Sequence, residues 1–463
     1  MGFYGGGGTG TLTGLTSAST TLLGNSAGTS ITTATDATLA GVSAGQALTS
    51  GAENTGFGYQ TLKATTTGAN NTAVGSLAGS RATATSANNT SVGYASGYGA
   101  GMASGNTNVG ANAGQQLGAS ATNNTNVGYL AGQNISSGAD NLTFGMQAGN
   151  GINTGTGNCC IGKNTGLSLG AVNYSVLIGN AAGQGATAST IAIGQTSLIA
   201  NAGANNIGIG RSTGNKITDG HDNIAIGDAA LSSSLHANYS IAIGTSALAA
   251  YADTGASYNG NSIAIGHISQ AVSISGWENV SIGTSTLGAL TTGSENTAVG
   301  IECMSGLVSG TRNVAYGVAA MKRGTTAYQC VAIGYGAGDD PTNANVSGHD
   351  NTYLGYGAIN SAANQRNFQT IIGSTALGVD KDASITLGRI GTDYVYAGLS
   401  FLGLKDNTGA IYTVAQLPAA SAALKGARSQ VSDATAPTWL GTLIGGGSVI
   451  CPVFCNGTAW VAG

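Results

Sequence analysis

Residues 279–300 read Asn279-Val280-Ser281-Ile282-Gly283, then Thr-Ser-Thr-Leu-Gly-Ala-Leu-Thr-Thr-Gly-Ser-Glu, then Asn296-Thr297-Ala298-Val299-Gly300. The pentad ending at Gly283 is thus answered 17 residues later by a pentad of the same pattern. The same pattern is found at Asn71–Gly75, Asn124–Gly128 and Asn223–Gly227. Taking the glycine as an anchor, the series runs 24, 41, 58, 75, 93, 110, 128, 145, 162, 179, 194, 210, 227, 244, 266, 283, 300, 317, 334, 355, 373 and 388. Of its 21 intervals, 13 are 17 residues, which makes the period, not any single residue, the signal to interpret. A fixed period of this length is the mark of a repeat architecture, in which each unit buries its apolar edge only against its neighbours.

With the anchor as position zero, position −1 is apolar: Val74, Val92, Phe144, Ile193, Ile226, Ile265 and Ile333. Position −3 is Thr, Ile or Val: Thr72, Thr125, Ile191, Ile241, Val280 and Val314. Position −2 is small or polar: Ala73, Ser91, Asn126, Ala225 and Ser281. Alternation with period two, carried by β-branched residues, predicts a short strand. On this reading −3 and −1 face a core and −2 faces away. The anchors, including Gly75, Gly93, Gly110, Gly128, Gly145, Gly227, Gly244, Gly283, Gly300 and Gly317, end each strand at a bend that needs φ > 0.

Position +4 is mostly Gly in the first half of the repeat (Gly79, Gly114, Gly149, Gly183) and mostly a large apolar residue in the second (Leu231, Leu248, Leu287, Met304, Met321), so the interior fills differently along it. Position −4 is Asn in 13 of the 20 units from Gly58 onward, which predicts a hydrogen-bonded amide ladder up the stack. The fold class expected is therefore all-β: a parallel β-solenoid or β-roll of about 22 coils and on the order of 100 Å long, at about 4.8 Å per coil. So thin a column leaves apolar surface over, and an oligomer covering it side by side is expected.

Composition excludes other classes. Among 463 residues there are 79 Gly but only 4 Pro and 7% charged residues. Without a G-X-Y period this is not collagen, and regularly placed Ile, Val and Thr argue against disorder. The net charge of −4 comes with no basic stripe, so nucleic acid is not an expected partner. No run of about 18 apolar residues predicts a membrane-spanning helix. Met1-Gly2-Phe3-Tyr4 and the four glycines after them lack the features of a secretory signal. The six cysteines (Cys159, Cys160, Cys303, Cys330, Cys451, Cys455) show no CxxC or zinc spacing and read as free thiols. No metal and no cofactor is expected.

The Asn-(Thr/Ile/Val)-x-(Val/Ile)-Gly unit followed by small residues resembles the head repeats of trimeric autotransporter adhesins, and similar repeats occur in bacteriophage tail fibres. The resemblance covers about residues 20–390. It implies a left-handed parallel β-roll and a homotrimer, although adhesin heads have shorter coils, near fourteen residues. From about 399 the chain changes, with Pro418, Pro437, Pro452, Trp439 and Trp460. This part looks like the short C-terminal module of many tailed-phage proteins, with Asn456-Gly457 predicting a tight hairpin turn. The division expected is an attachment segment at 1–20, a repeat shaft at 21–398 and a C-terminal module at 399–463. The function expected is a structural virion appendage: a tail fibre, assembled in the host cytoplasm, joined to a tail or adaptor protein at its N-terminus. It would attach to a glycan or protein of the host surface. A bacterial surface adhesin or filament and a polysaccharide-cleaving tailspike are the alternatives.

Candidate contacts are Tyr251 and Tyr258 in the 22-residue interval, and the C-terminal Trp439, Phe454 and Trp460. The 21-residue interval holding Asp339, Asp340 and Pro341 is a second candidate loop. Carboxylates recur at −5: Glu53, Asp140, Asp222, Glu278, Glu295 and Asp350. Glu278 and Glu295, one coil apart, fall near the spacing of a retaining glycosidase pair. Arg312 in the next slot favours a solvated charge ladder instead. His221 with Asp219 and Asp222, and His349 with Asp350, read as turn residues before metal ligands.

Overall fold

The computed structural model describes residues 19–388, apart from 83, 100, 187–188, 201–202, 251–259, 341–347, 361–366 and 380–381, together with 428–434, 449–455 and 458–462. Among these residues there is no helix. The chain divides into two compact units, Met1–Gly391 and Thr392–Gly463.

In the first unit, 22 strands of three or four residues run from β1 (Thr21–Leu23) to β22 (Ile385–Leu387). Every strand pairs in parallel with the next in chain order, so the unit is a β-solenoid with one coil per repeat. Typical register is Thr72↔Thr90, Ala73↔Ser91 and Val74↔Val92, or Val280↔Thr297, Ser281↔Ala298 and Ile282↔Val299. The long intervals do not disturb it: Ile243 pairs with Ile265 across the first and Ile333 with Leu354 across the second.

The anchor glycines sit where expected. The ten named above have φ between 121° and 139°. A Cβ on Gly283 would lie 2.4 Å from the carbonyl oxygen of Gly300. The anchor is glycine for two reasons, therefore: its dihedral and the backbone of the next coil. Other corners use left-handed residues that are not glycine. Around Gly283 these are Glu278 (φ 53°), Ser285 (φ 55°) and Leu287 (φ 50°). Such conformations are uncommon outside Gly and Asn. Here the neighbouring coils hold them: Ser285 N–H donates to His267 O (2.9 Å) and Leu287 N–H to Cys303 O (3.1 Å).

The facing of the strands is opposite to the expectation from periodicity. The burial pattern is half-buried, buried, half-buried or exposed: position −2 points inward and −3 and −1 point out. Ala73, Ala225, Ser281 and Asn126 are fully or almost fully buried, whereas Val74 and Ile333 are exposed. The period of two holds, but its phase is shifted by one, which turns over every side chain. The cause is the width of the coil. Corner glycines and inward side chains already touch: a Cβ on Gly183 would lie 2.4 Å from Leu177 Cδ2, and one on Gly149 would lie 2.9 Å from Ile152 Cδ1. Most coils admit one large inward side chain. Where +4 is glycine, +7 supplies it in many coils, as at Leu117, Ile135, Ile152, Leu169 and Ile217, whereas beside Gly183 it is Leu177 at −2, with the small Ala186 at +7. Where +4 is Leu, +7 is small, as in Leu62 with Thr65 and Leu231 with Ser234. In two coils, Leu287 with Leu290 and Met304 with Leu307, both are large.

The asparagine ladder is present and buried. Asn296 Nδ2 donates to Asn279 Oδ1 (3.0 Å) and to Gly310 O (2.8 Å). Asn296 Oδ1 accepts from the N–H (3.1 Å) and Nδ2 (2.9 Å) of Asn313. One amide thus satisfies itself and two neighbouring coils. The pattern recurs at Asn71, Asn89, Asn124, Asn141 and Asn158.

The second unit contains an antiparallel three-stranded sheet, β23 (Arg428–Ala434), β24 (Val449–Cys455) and β25 (Trp460–Ala462), in that order. The pairs Cys455↔Trp460 and Phe454↔Val461 flank the expected hairpin turn, while Asn456-Gly457 itself lies outside the described residues.

Two substitutions test this account. Asn296→Ala should cost about 3 kcal/mol, because Gly310 O and the N–H of Asn313 are left buried without partners and the Asn313 amide loses one of its two bonds; thermal melting reads the loss. Gly283→Ala should lower the melting temperature far more than Gly336→Ala. Gly336 has φ 60° and nothing within 4 Å of a built Cβ, so alanine there meets only the left-handed penalty of about 1 kcal/mol.

Candidate functional site

Turning the β-branched columns outward creates the main surface feature of the solenoid. Positions −3 and −1 form two parallel rows on one sheet face, and no strand from β1 to β22 contains a charged residue. Phe57, Val74, Phe144, Tyr316, Ile333 and Leu354 are among the exposed apolar residues of this stripe. Three residues of extended strand give a width of about 10 Å, and 22 strands a length on the order of 100 Å. Position −3 is Thr in ten of these strands, so the unbroken apolar row is the one at −1; an uncharged, largely apolar stripe on the order of 1,000 Å² is still larger than monomeric proteins ordinarily leave in water.

The −5 column beside the stripe is polar and engaged from coil to coil. Arg312 Nε bonds Glu295 Oε2 at 3.0 Å, and this contact raises the guanidinium further above its ordinary range. Glu278 is exposed. The two carboxylates considered as a glycosidase pair therefore differ: one is held by an arginine and the other is open to solvent. His221 Nδ1 lies 2.7 Å from Asp222 Oδ2, and the Asp222 carboxyl is held low, first by that contact and then by Asn205. Asp219 does not join them. It pairs with His236 on the next coil. His349 and Asp350 form a pair of the same kind at 2.7 Å. Among the described residues no three His, Cys, Asp or Glu side chains converge as a metal site. Further ion pairs join coils at Arg211–Asp228 (2.5 Å) and Lys322–Glu302 (2.6 Å). Arg323 meets Asp339 at 2.6 Å, although burial pushes the Asp339 carboxyl up.

Of the expected contact residues, Tyr251, Tyr258 and Trp439 lie outside the described residues, as do residues 341–347 of the second long interval. Phe454 and the half-buried Trp460 fall on adjacent antiparallel strands, β24 and β25. The outward stripe was missed in the sequence because hydrophobic residues were assigned to the interior. The column of alanine at −2 held the missing information, since only small side chains repeat coil after coil in so narrow a core. No helix among the described residues is long and apolar enough to cross a membrane.

The thiols follow the same facing rule. Cys159 is half-buried on the outer row and Cys160 is buried inside, as adjacent strand residues must be. Cys303 and Cys330 are buried. Burial pushes Cys160 and Cys303 up to about 12 and Cys330 up to about 11. These three should resist a maleimide at pH 8 in the native protein and react once it is unfolded, as read by peptide mapping. Native labelling of Cys303 would contradict the packing described.

No protein-family model matches this chain, and no curated protein matches it.

Proposed function

We propose that the chain is a structural fibre protein: the shaft of a homotrimeric bacteriophage tail fibre or related virion appendage that attaches to a host surface. The observation that carries this reading is the uncharged apolar stripe running through all 22 strands. Its area per chain is comparable with the ~800 Å² that each partner buries in a standard interface. A second copy has the same coil step, so rows of one chain meet rows of another in register along the whole length. The charged −5 column then lies at the rim, where interfaces are polar. Side-by-side copies arranged around an axis each cover the stripe of the next, and three is the number the likeness to trimeric head repeats suggests. The same likeness, with the C-terminal segment, supports the virion setting. Assembly in the host cytoplasm and a tail or adaptor protein near the N-terminus belong to this reading. Surface attachment, to a glycan or a protein, is its biological role.

The exposure of Glu278 and the pairing of Glu295 with Arg312 favour a charge ladder over a cleaving pair. Accordingly Glu278→Gln and Glu295→Gln should leave any polysaccharide-clearing halo unchanged.

Light scattering on the purified chain decides the assembly. A mass three times 44.9 kDa is expected, and Ile265→Arg with Ile282→Arg should reduce that mass while preserving the β signal in circular dichroism. A wild-type monomer would overturn the proposal.

A further inference from the structure

One coil departs from the way its neighbours are filled. The coil of β15 (Ile263–Ile265) carries Gln270 at position +4, where the coils before and after it carry Leu248 and Leu287. All three side chains are fully buried. At −2 this coil has only Ala264, and at +7 it has Ser273, also fully buried. Positions +4 and +7 of one coil share the interior: a Cβ on Gly149 would lie 2.9 Å from Ile152 Cδ1, and one on Gly114 would lie 2.8 Å from Leu117 Cδ1. Gln270 Oε1, Gln270 Nε2 and Ser273 Oγ have no hydrogen-bond partner among the described residues. The hydroxyl of Ser269, next in sequence, is engaged elsewhere, reaching Ser281 Oγ at 2.8 Å.

The asparagine ladder lapses at the same place. Position −4 is Ser240 in one coil and Ser262 in the next, between Asn223 and Asn279. Asn279 N–H therefore meets Ser262 Oγ at 3.4 Å, where Asn296 N–H meets Asn279 Oδ1 at 3.0 Å. Serine brings one hydroxyl in place of an amide that bonds two coils. Position −4 also lacks asparagine at Ser175 and Thr190, but in those coils Leu177 and Leu198 fill the interior. At β15 both supports weaken together. The apolar cluster that holds Leu231 and Leu248 ends at Ala264, and the next begins at Leu287.

We infer that this coil is a joint in the solenoid: the stack opens here first, and the coils on its two sides unfold as separate blocks. A buried polar group without a partner is stabilised by reaching water. Opening this coil lets Gln270 and Ser273 do so, a gain that opening a leucine-filled coil does not bring. In a one-dimensional stack each coil touches only its neighbours, so one weak interface uncouples what lies on either side of it. Strand pairing runs on through the joint, with Ile241↔Ile263 and Ile263↔Val280 in register. The interruption is therefore in the core and not in the sheet. It lies inside a single chain, and holds whatever number of copies cover the outer stripe.

Hydrogen exchange of the full chain, read by mass spectrometry, locates the joint. In the wild type, peptides covering 263–274 should exchange about tenfold faster than those covering 224–235 and 280–291, the scale of one buried unpaired group. Bond length alone predicts no such difference: the N–H groups of Leu231, Gln270 and Leu287 donate to the next coil at 3.0, 2.8 and 3.1 Å. Gln270→Leu, which matches the coils on either side, should slow 263–274 about tenfold. Ser273→Ala should slow it in the same direction. Leu231→Gln is the converse, because its coil already has the buried Ser234 at +7; peptides covering 224–235 should then exchange as fast as 263–274 does in the wild type. The joint is overturned if 263–274 is as slow as its neighbours in the wild type, or if Leu231→Gln leaves 224–235 slow. It is overturned equally if 263–274 stays fast in both Gln270→Leu and Ser273→Ala, which would trace the opening to the long interval between Gly244 and Gly266 and not to the polar core.

Discussion

The whole solenoid depends on how closely one coil can lie upon the next. At the anchor the approach is set by backbone alone: Gly283 N–H donates to Ile265 O at 2.7 Å, and the carbonyl of Gly300 occupies the space a Cβ on Gly283 would need. Any side chain there would pry two coils apart, and the displacement would pass to the strands and the amide ladder beside it. The ladder depends on the same step. Asn296 reaches Asn279 and is reached by Asn313 only because all three stand one strand spacing apart. Glycine at one corner and asparagine four residues before it are two halves of a single constraint.

Much of this was legible in the sequence. The period, the strand positions, the bend at each glycine and the ladder all follow from residue types recurring in phase. Burial did not follow. Alternation gives two faces without saying which is inside, and the rule that hydrophobic residues go in fails where most coils have room for only one large inward side chain. Ala73 and Ala225 go in and Val74 stays out, although the same inward position takes Leu39, Leu177, Ile371 and Tyr353 in other coils. The non-glycine corners were also illegible. Leu287 adopts a left-handed conformation that its own preferences disfavour, and the cause is the next coil, to which its N–H is bonded at Cys303 O, which no local reading of residues 283–290 contains.

The two halves of the solenoid hold their coils together by different chemistry. Near the N-terminal end, coil-to-coil contacts away from the backbone are amides and hydroxyls, such as Asn126 Nδ2 on Asn108 Oδ1 (2.8 Å) and Thr49 Oγ1 on Thr66 O (3.1 Å). From Arg211 onward ion pairs join the set, at Arg211–Asp228, Arg312–Glu295 and Lys322–Glu302. Exposed pairs of this kind contribute little each, about 0.2–1 kcal/mol, and are weakened by salt. Neutral amide ladders have no such screening, so ionic strength acts unevenly along one otherwise uniform stack.

The register kept across the long intervals separates two properties that most folds couple. Ile243 still pairs with Ile265 and Ile333 with Leu354, whatever lies between. Chain added at such a point changes surface chemistry without asking the remaining coils to move. The solenoid is in this respect a peg-board: the spacing of its strands is fixed by the stack and not by the length of chain strung between two of them.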